Sequence, residues 1–578
     1  MYRTRNGGES WKETGARHFA TEVNLAYNNT IAVHPKDPEF VLAGAKNLHL
    51  TLDGGRSWKR VSTDRRDGTG DKLPRNFVHP DHHSVIITPT GMLYSGNDGG
   101  VARSENRGVT WQTSSEGMVT AMFYAAGVSQ RDSRIFGGGT QDNGTLIAGV
   151  PDTAGAPAPP EGHFTRVLAG DGGWIEFDPN HTEHVFGSTS DLILNRHRKG
   201  EPWANGTRLA KWTNVSPPKH LLLPGEKEAR SIIVMEMAGR RLYCGTSRLW
   251  RTDIHRQTWK PVSPFLDGSA ISAIEVSPHD PAVLFAGTSL GCIFRSCDGG
   301  GTWSSNLAGP AVAQRVITRI AIHPAQPRTV VIAVAATGNP GARLVRSDDP
   351  DQSGETTPYS HVLLSNDLGQ TWLPLETGDH PDVVINAVVF ETHPPYRLFV
   401  GGDAGVWFRE DVDPRSVGGF IAISGNMPNV VVSDLSFHHN DKFLYAATYG
   451  RGIWRWKVDG ASPEAESFDD RTHRDSPPAV GLIPHESAPA PKLLSPPDGA
   501  VIAFPGTTTL KWTPVPGAIA YSIETVHPDG RTSPFSSPVP ELTFESHGRE
   551  QIFWRVWAIL PDSKRSPGSK SRKLRYSG

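Results

Sequence analysis

Four aspartates stand in short glycine-rich segments in the first third of the chain. Asp81 belongs to HPDHHS, Asp98 to GNDGGVAR, Asp142 to TQDNGT and Asp171 to AGDGGW. Glycine permits tight loops and lets a ligand approach the backbone closely. Carboxyl groups that crowd together must share a proton, bind a cation or stay apart in solvent, because like charges repel at short range.

Three kinds of role suit these residues, and the residues alone leave all three open. Aspartate and glycine are common in plain solvated turns. A hard cation, in particular Ca²⁺, could be held by Asp81, Asp98, Asp142 and Asp171, and the residues point to no other cofactor. Two of the carboxylates could also hydrolyse a glycosidic bond, which needs them about 5 to 5.5 Å apart for retention or about 6.5 to 9.5 Å apart for inversion.

A recurring eight-residue motif sets the fold. The pattern [ST]xDxGx[ST]W is met by TLDGGRSW, SCDGGGTW and SNDLGQTW, with Asn in place of Asp in TRNGGESW and SENRGVTW and a decayed copy in TDIHRQTW. These copies occupy residues 51–58, 296–303, 365–372, 4–11, 104–111 and 252–259. Repeats of this kind are the signature of repeat architectures.

Short alternating segments precede most copies, such as IAVHPKDP followed by VLAGAKNLHLT. Period-2 alternation indicates strands, and nine such four-strand units fit within residues 31–457. Radial repetition buries both faces of each sheet and protects most edges. We therefore predict an all-β chain with a large β-propeller of about nine to ten four-stranded blades. Residues 2–15 add a half-unit, which favours one ten-bladed ring whose start has been lost. A nine-unit ring or a split two-propeller arrangement is the alternative.

The SxDxGxTW turn resembles the Asp-box, or BNR repeat. Residues 1–457 are thus similar to the Asp-box propellers: sortilin-type receptors, xyloglucanase-type glycoside hydrolases, sialidases and photosystem II assembly factors. In these families the box lies between the third and fourth strands of a blade, its Asp caps backbone amides and its Trp packs between strands. The resemblance implies a structural role for Asp53, Trp58, Trp111, Asp298, Trp303, Asp367 and Trp372.

The same resemblance places ligands on the face opposite the boxes, called here the top face. There it brings Asp81, Asp98, Asp142 and Asp171 together over three consecutive blades, with His82 and Gln141 as further ligand contacts. Xyloglucanase-type enzymes carry catalytic aspartates in glycine-rich loops between the second and third strands. Asp98 in NDGGVAR resembles such a loop and Asp403 in GGDAGVWFR is a looser match, so Asp98, Asp142, Asp171 and Asp403 are the candidate catalytic residues. The chain has about half the length of such an enzyme.

Three further residues stand in predicted top-face loops. Trp407 follows Asp403, and Tyr449 and Arg451 belong to ATYGRGIW. Aromatic and arginine side chains at a concave surface suit sugar stacking or peptide capture. Alternatively, Tyr449 and Arg451 close the last blade onto the first.

The sequence changes character after the propeller. Residues 458–490 are rich in Pro, Ala, Ser and charge and predict a linker, while residues 491–578 show short alternating strands at β-sandwich spacing. Trp512, Tyr521, Trp554 and Trp557 in this segment resemble those of fibronectin type III domains. Such a domain would act as a spacer.

Composition excludes some classes of function. Lys and Arg number 58 against 60 acids, so the net charge is −2 and nothing predicts a nucleic-acid partner. The sequence contains no run of 18 apolar residues and therefore predicts no membrane-spanning helix. Its N-terminus lacks a signal-peptide pattern.

We expect an extracytoplasmic protein, secreted or periplasmic, with an incomplete N-terminus. The first expectation for its function is a sortilin-like propeller that binds a glycan or a polypeptide. The alternatives are a glycoside hydrolase with paired aspartates and, third, a cytoplasmic or photosynthetic assembly factor.

Overall fold

The computed structural model divides the chain into two compact units, residues 1–473 and 474–578. It describes all residues except 16–21, 23–24, 65–73, 114–117, 152–155, 161, 191, 199–200, 202, 206–207, 210–211, 225, 227–232, 257, 313–314, 336–360, 376–382, 414–418, 424–426, 459–465, 469–488, 504–506, 517, 519, 527–531, 538, 546–550, 560–565, 567–568 and 578. Within the described residues no helix is long and apolar enough to cross a membrane.

The first unit begins with a hairpin and two four-stranded sheets. The hairpin is β1 (Tyr2–Arg3) and β2 (Lys12–Glu13). Sheet 1 comprises β3 (Thr30–His34), β4 (Asp37–Gly44), β5 (Leu48–Thr51) and β6 (Lys59–Arg60). Sheet 2 comprises β7 (His82–Ile87), β8 (Leu93–Asn97), β9 (Gly100–Ser104) and β10 (Gln112–Thr113).

Seven further sheets follow, each an antiparallel meander. Sheet 3 is β11 (Gly127–Val128), β12 (Phe136–Thr140), β13 (Gly144–Ala148) and β14 (Phe164–Leu168). Sheet 4 is β15 (Gly172–Phe177), β16 (Val185–Thr189), β17 (Ile193–His197) and β20 (Thr213–Asn214), with the hairpin β18 (Ala204–Asn205) and β19 (Arg208–Leu209) inserted. Sheet 5 is β21 (Met235–Ala238), β22 (Arg241–Gly245), β23 (Leu249–Asp253) and β24 (Lys260–Pro261). Sheet 6 is β25 (Ile271–Val276), β26 (Leu284–Thr288) and β27 (Ile293–Ser296).

The short helix α1 (Gly309–Val312) leads into the last three of these sheets. Sheet 7 is β28 (Ile317–Ile322), β29 (Val330–Val334), β30 (Val362–Ser365) and β31 (Leu373–Pro374). Sheet 8 is β32 (Ile385–Phe390), β33 (Leu398–Gly402), β34 (Gly405–Arg409) and β35 (Ile421–Ala422). Sheet 9 is β36 (Val432–His438), β37 (Phe443–Thr448), β38 (Ile453–Lys457) and β39 (Glu466–Phe468).

The described residues thus form the predicted all-β propeller with nine blade-like sheets, but the ring closes between sheet 9 and sheet 3. The N–H of Ala126 donates to Asp434 and the hydroxyl of Ser433 donates to the carbonyl of Phe123 at 2.6 Å. Sheets 3 to 9 each contact the next through their first strands, and sheets 1 and 2 pack on each other beside them. One ten-bladed ring is therefore wrong, and the split arrangement matches these contacts better.

The strands form because their side chains alternate between two covered faces. The first strands repeat a pattern such as ISAIEV in β25, and several second strands, such as LFAGT in β26, are buried along their whole length. A strand covered on both faces reads as a continuous apolar run. Each gap between neighbouring sheets is filled by its own cluster, as in the contact of Phe285, Ile320 and Leu363 between sheets 6 and 7.

The repeated turns are held by local hydrogen bonds. The Asp298 carboxylate accepts bonds from the Ser296 hydroxyl at 2.8 Å, the Thr302 N–H at 2.9 Å and the Thr302 hydroxyl at 2.7 Å. These bonds, the one from the Thr302 N–H above all, lower the pKa of Asp298 to about 2. Asp53 and Asp367 accept the same set. The turn therefore forms from residues within six positions of one another.

The tryptophan of each turn ties its blade to the blade before it. The indole N–H of Trp111 donates to the carbonyl of Val61 at 2.9 Å, and that of Trp303 donates to Val262 at 2.8 Å. Trp372 and the Trp259 of the decayed copy make the same kind of bond. Trp58 is also buried, whereas Trp11 in the N-terminal hairpin is 61% exposed.

We expect Trp259→Ala to lower the free energy of unfolding by about 3 to 5 kcal/mol, because the ring is buried and its N–H bonds to Val215 at 2.6 Å. Trp11→Ala is the matched control, because Trp11 belongs to the exposed copy of the motif in the N-terminal hairpin. This variant should change the free energy of unfolding by less than about 0.5 kcal/mol. Chemical denaturation of both variants measures the difference. Equal effects would contradict the interblade role of the motif.

Charged side chains line the inside of the ring, a feature that the sequence analysis missed. Glu176, Glu236 and Glu275 lie on the first strands of sheets 4, 5 and 6, and Arg319 on sheet 7 forms an ion pair with Asp434 on sheet 9. Burial raises the pKa of all three glutamates, that of Glu236 to about 7. The sequence signal for these glutamates was the recurrence of a Glu between apolar residues in the first strands, in IEF, MEM and IEV.

The second unit is a two-layered β structure, as predicted. One sheet contains β40 (Leu493–Ser495), β42 (Thr507–Trp512) and β45 (Glu541–Glu545). The other contains β41 (Ala500–Ala503), β47 (Arg572–Ser577), β46 (Gln551–Ile559), β43 (Ala520–Val526) and β44 (Thr532–Ser537). Trp512, Tyr521 and Trp554 are buried in its core.

The boundary between propeller and linker differs from the prediction. Residues 466–468, placed in the linker by composition, form β39, the outer strand of sheet 9. The propeller thus extends past residue 457, because this short segment pairs with β38 through backbone hydrogen bonds that composition does not encode. Most other residues of the predicted linker lie outside the described part of the chain.

Candidate functional site

One group of strand ends carries the polar residues of interest. Asp98 lies in the turn between β8 and β9, and Asp142 in the turn between β12 and β13. Asp81 immediately precedes β7, and Asp171 immediately precedes β15. The start of a first strand and the end of a second strand meet at the same edge of an antiparallel sheet, so all four residues lie on the top face of sheets 2, 3 and 4.

Asp98 and Asp142 form the centre of this site. Their carboxyl groups lie near each other across the junction of sheets 2 and 3 and interact directly. Burial, followed by the charges of Asp98 and Asp171, raises the pKa of Asp142 to about 6. The Asn143 amide fixes the pair by donating to the carbonyl of Asp98 at 2.7 Å.

The other two aspartates are each joined to a neighbour. The Oδ1 of Asp171 accepts a hydrogen bond from the N–H of Asp142 at 2.9 Å, which links sheets 3 and 4. Asp81 accepts one from the amide of Asn28, which precedes sheet 1. Asp81 and Asp142 have φ values of 63° and 58°. Aspartate and asparagine adopt this left-handed conformation more readily than most residues. The structure therefore unites the four predicted carboxylates.

Two residues that the sequence analysis did not select complete the Asp98 side of the site. His83 lies 2.7 Å from the Oδ1 of Asp98 through its Nε2, and the Tyr27 hydroxyl donates to the Oδ2 of Asp98 at 3.4 Å. The Tyr27 and His83 rings meet edge to face at 4.8 Å. A Cβ on Gly99 would lie 2.5 Å from the His79 ring, so this turn needs glycine for close approach. HPDHHS pointed to this segment but not to Tyr27.

A tyrosine pair borders the other side. The Tyr449 hydroxyl donates to Gln141, and the rings of Tyr124 and Tyr449 lie 6.1 Å apart. Burial, followed by the charge of Tyr449, raises the pKa of Tyr124. Arg451 donates to the backbone carbonyl of Val119 at 3.4 Å, so it serves ring closure between sheets 9 and 3. Tyr449 is 39% exposed and remains available to a ligand.

Three predicted site residues lie elsewhere. His82 is fully buried, its Nδ1 lies 2.7 Å from the Ser95 hydroxyl, and burial lowers its pKa to about 3. Strand alternation turns His82 inward and His83 outward. Trp407 is 7% exposed within the core of sheet 8. Ligand contact is therefore wrong for His82 and Trp407. Asp403 belongs to sheet 8, where it accepts a bond from Asn386 at 3.1 Å, apart from the four aspartates.

The calcium prediction gains no support from this geometry. Across the part of the chain that the structure describes, no three His, Cys, Asp or Glu side chains are grouped so that they could hold a metal ion. Instead, Asp171 accepts a hydrogen bond from the backbone N–H of Asp142, and the pKa of Asp142 is raised.

We expect Asp142→Asn to raise the thermal midpoint at neutral pH. The folded state raises the pKa of Asp142 from 3.8 to about 6, so it binds more protons than the unfolded state between these values. The stability of the wild type therefore falls as the pH rises through this window. Asn keeps the left-handed backbone and can donate to Asp98, and the gain should be about 1 kcal/mol in a partly solvated site.

The control for this prediction is the pH dependence itself. Below pH 4 the wild-type carboxyl is protonated, so the two proteins should have the same midpoint there. A difference that is constant between pH 4 and 7.5 would contradict the raised pKa of Asp142.

The fold and the site together define a β-propeller with a carboxylate pair on its top face, and comparisons with known proteins add to this. The chain is 23% identical over 275 residues to "Xyloglucanase" of Paenibacillus sp, which covers 40% of this chain and 26% of that protein. The chain thus matches about a quarter of the length of this curated relative. No protein-family model matches the chain.

Two solved structures align with part of the chain at low scores. The GH74 enzyme of Niastella koreensis has a TM-score of 0.46 and 14% identity, covering 80% of this chain and 63% of that chain. Raptor of Chaetomium thermophilum has a TM-score of 0.40 and 10% identity, covering 60% of this chain and 29% of that chain.

Proposed function

We propose that this protein is a glycoside hydrolase that acts on a polysaccharide at the top-face site. The observation that carries the proposal is the meeting of Asp98, Asp142 and Asp171 at one group of strand ends, where burial and the neighbouring charges raise the pKa of Asp142 to about 6. A carboxyl group that keeps its proton near the working pH is the general acid that glycosidic cleavage requires. The sequence similarity to a xyloglucanase supports this function over a sortilin-like receptor.

Asp142 donates the proton to the leaving oxygen in this mechanism. The charge of Asp98 favours the protonated form of Asp142 before reaction, and His83 and Tyr27 hold the Asp98 carboxylate in place. Asp98 and Asp142 interact directly, whereas the two flanking carboxyls of a glycosidase stand at least about 5 Å apart. Asp171, on the neighbouring sheet, is the second carboxylate: it attacks the anomeric carbon itself or takes the proton of the water that does, as the bond to the leaving oxygen breaks.

Aromatic side chains make the same site suitable for a sugar chain. Tyr27 and Tyr449 are 52% and 39% exposed and lie on opposite sides of the carboxylate pair. Tyrosine offers an apolar ring for stacking together with a hydroxyl for hydrogen bonds. A polysaccharide is therefore the substrate class that we propose, and an extracytoplasmic location stays a prediction from the sequence.

A panel of polysaccharides tests the proposal, with xyloglucan, cellulose, xylan and mannan assayed for released reducing ends and, in parallel, for binding. We expect one of them to yield reducing ends at mildly acidic pH. Its activity should fall as the pH rises through about 6, where Asp142 loses its proton. Binding without release on every substrate would contradict catalysis and favour the binding propeller expected from the sequence.

A further inference from the structure

A basic depression lies on the outer part of sheet 5, at the end of the sheet opposite the carboxylate site. It has a volume of about 480 Å³, within the range of small-ligand sites. Its lining consists of Arg240, Arg241, Arg251, Arg256, Lys260, Asp253, Thr252 and Thr258. Five cations thus face one carboxylate in a chain whose net charge is −2.

The strand register gathers these cations. Tyr243 pairs with Arg251, and Arg251 pairs with Lys260 across β22, β23 and β24. Side chains at i and i+2 share a face, so Arg241, Arg251 and Lys260 lie on one side of the sheet. Arg251 is held in place by a 3.1 Å hydrogen bond to the carbonyl of Gly299.

The single carboxylate is largely occupied by the backbone. Asp253 accepts hydrogen bonds from the N–H groups of His255 at 2.9 Å and Arg256 at 3.2 Å, which lower its pKa. Its ion pair with Arg240 spans 3.7 Å, and Arg240 is 63% exposed. Most of the positive charge is therefore uncompensated by Asp253.

This depression coincides with the decayed copy of the repeated motif. The third position, Asp in the intact copies, is the buried Ile254, and the fifth position, Gly in the intact copies, is Arg256. The copy keeps Thr252 and Trp259, so the turn still joins its blade to the preceding one. The departures from the motif thus add positive charge while the interblade contact persists.

We propose that this depression binds an acidic oligosaccharide through its carboxylate or sulfate groups. Arginine presents paired donors that match these oxyanions. The cations form a compact cluster and not an extended stripe, which favours a small polyanion over a nucleic acid. That the anion belongs to a carbohydrate rests on the proposed function.

Calorimetric titration of the full chain with trigalacturonate tests the site. The double variant Arg241→Gln with Arg256→Gln should bind at least about 10-fold more weakly, because two charge-assisted contacts are lost. The matched control is Arg56→Gln with Lys59→Gln, which changes exposed cations at the intact copy in sheet 1. We expect it to bind within about 2-fold of the wild type.

Three results would overturn the proposal: no binding of trigalacturonate, equal binding by the double variant and the control, or inorganic phosphate that binds as tightly as the trisaccharide. Hydrolysis measured on the same samples separates this proposal from the proposed function. If the wild type cleaves a polysaccharide but does not bind trigalacturonate, only the proposed site in the depression is rejected. If it binds trigalacturonate but cleaves no polysaccharide, only the proposed hydrolase activity is rejected. The double variant should cleave neutral substrate at the wild-type rate.

Discussion

Asp142→Asn is expected to lower turnover about 100-fold to 10,000-fold on the polysaccharide that the wild type cleaves, because amide nitrogen cannot replace a general acid. The same variant should be more stable than the wild type at neutral pH, since it removes a carboxyl whose ionisation is unfavourable there. Loss of activity together with a higher thermal midpoint excludes misfolding as the cause. Initial rates of reducing-end release, with the midpoint of the same sample, measure both effects.

Asp98→Asn separates the two members of the pair. Removal of the Asp98 charge should lower the pKa of Asp142, so activity should begin to fall at a lower pH than in the wild type. The maximum rate should also be lower. Asp267→Asn is the matched control, because Asp267 lies in a comparable loop before β25 and is bound by Thr288 and Ser269. Wild-type turnover in Asp98→Asn, or an equal loss in Asp267→Asn, would contradict the assignment.

Glu226→Ala is expected to lower the free energy of unfolding by about 3 to 5 kcal/mol. Glu226 is fully buried, and its carboxylate accepts bonds from the Arg248 guanidinium at 2.7 Å, the Thr246 hydroxyl at 2.5 Å and the Trp250 indole at 3.1 Å. Burial alone would raise the pKa of Glu226, but these bonds outweigh it and the pKa is lowered. Without the carboxylate, Arg248 would remain charged with only 12% of its side chain exposed.

Glu105→Ala provides the control for the buried ion pair. Glu105 lies 3.9 Å from Arg103, and their side chains are 65% and 42% exposed. Removal of such a surface pair costs about 0 to 1 kcal/mol. Denaturant titration should therefore separate the two variants by at least about 2 kcal/mol. Similar midpoints for both would mean that the bonds of Glu226 to Arg248, Thr246 and Trp250 add little to stability.

The motif at residues 296–303 shows why the local structure could be predicted. Its bonds join Ser296, Asp298 and Thr302 within one turn, so eight residues contain everything that the turn needs. The alternating segments likewise predicted the strands, because burial of one strand face is visible as a period of two. Asp98, Asp142 and Asp171 each lie at a strand end on the same face of three successive sheets, which is why the sequence could place them near one another.

The sequence by itself therefore determined the strands, the turns and the all-β class, because short-range contacts specify each of them, and the resemblance to Asp-box propellers placed the four aspartates on one face. Only the tertiary structure decided that the ring closes between Asp434 and Ala126, that His83 and not His82 faces Asp98, and that Tyr27 joins the site. It also decided that Asp142 lies beside Asp98 in a partly buried position that raises its pKa to about 6. These features depend on contacts between residues far apart in the chain, and on a register shift between His82 and Ser84, which local periodicity does not record.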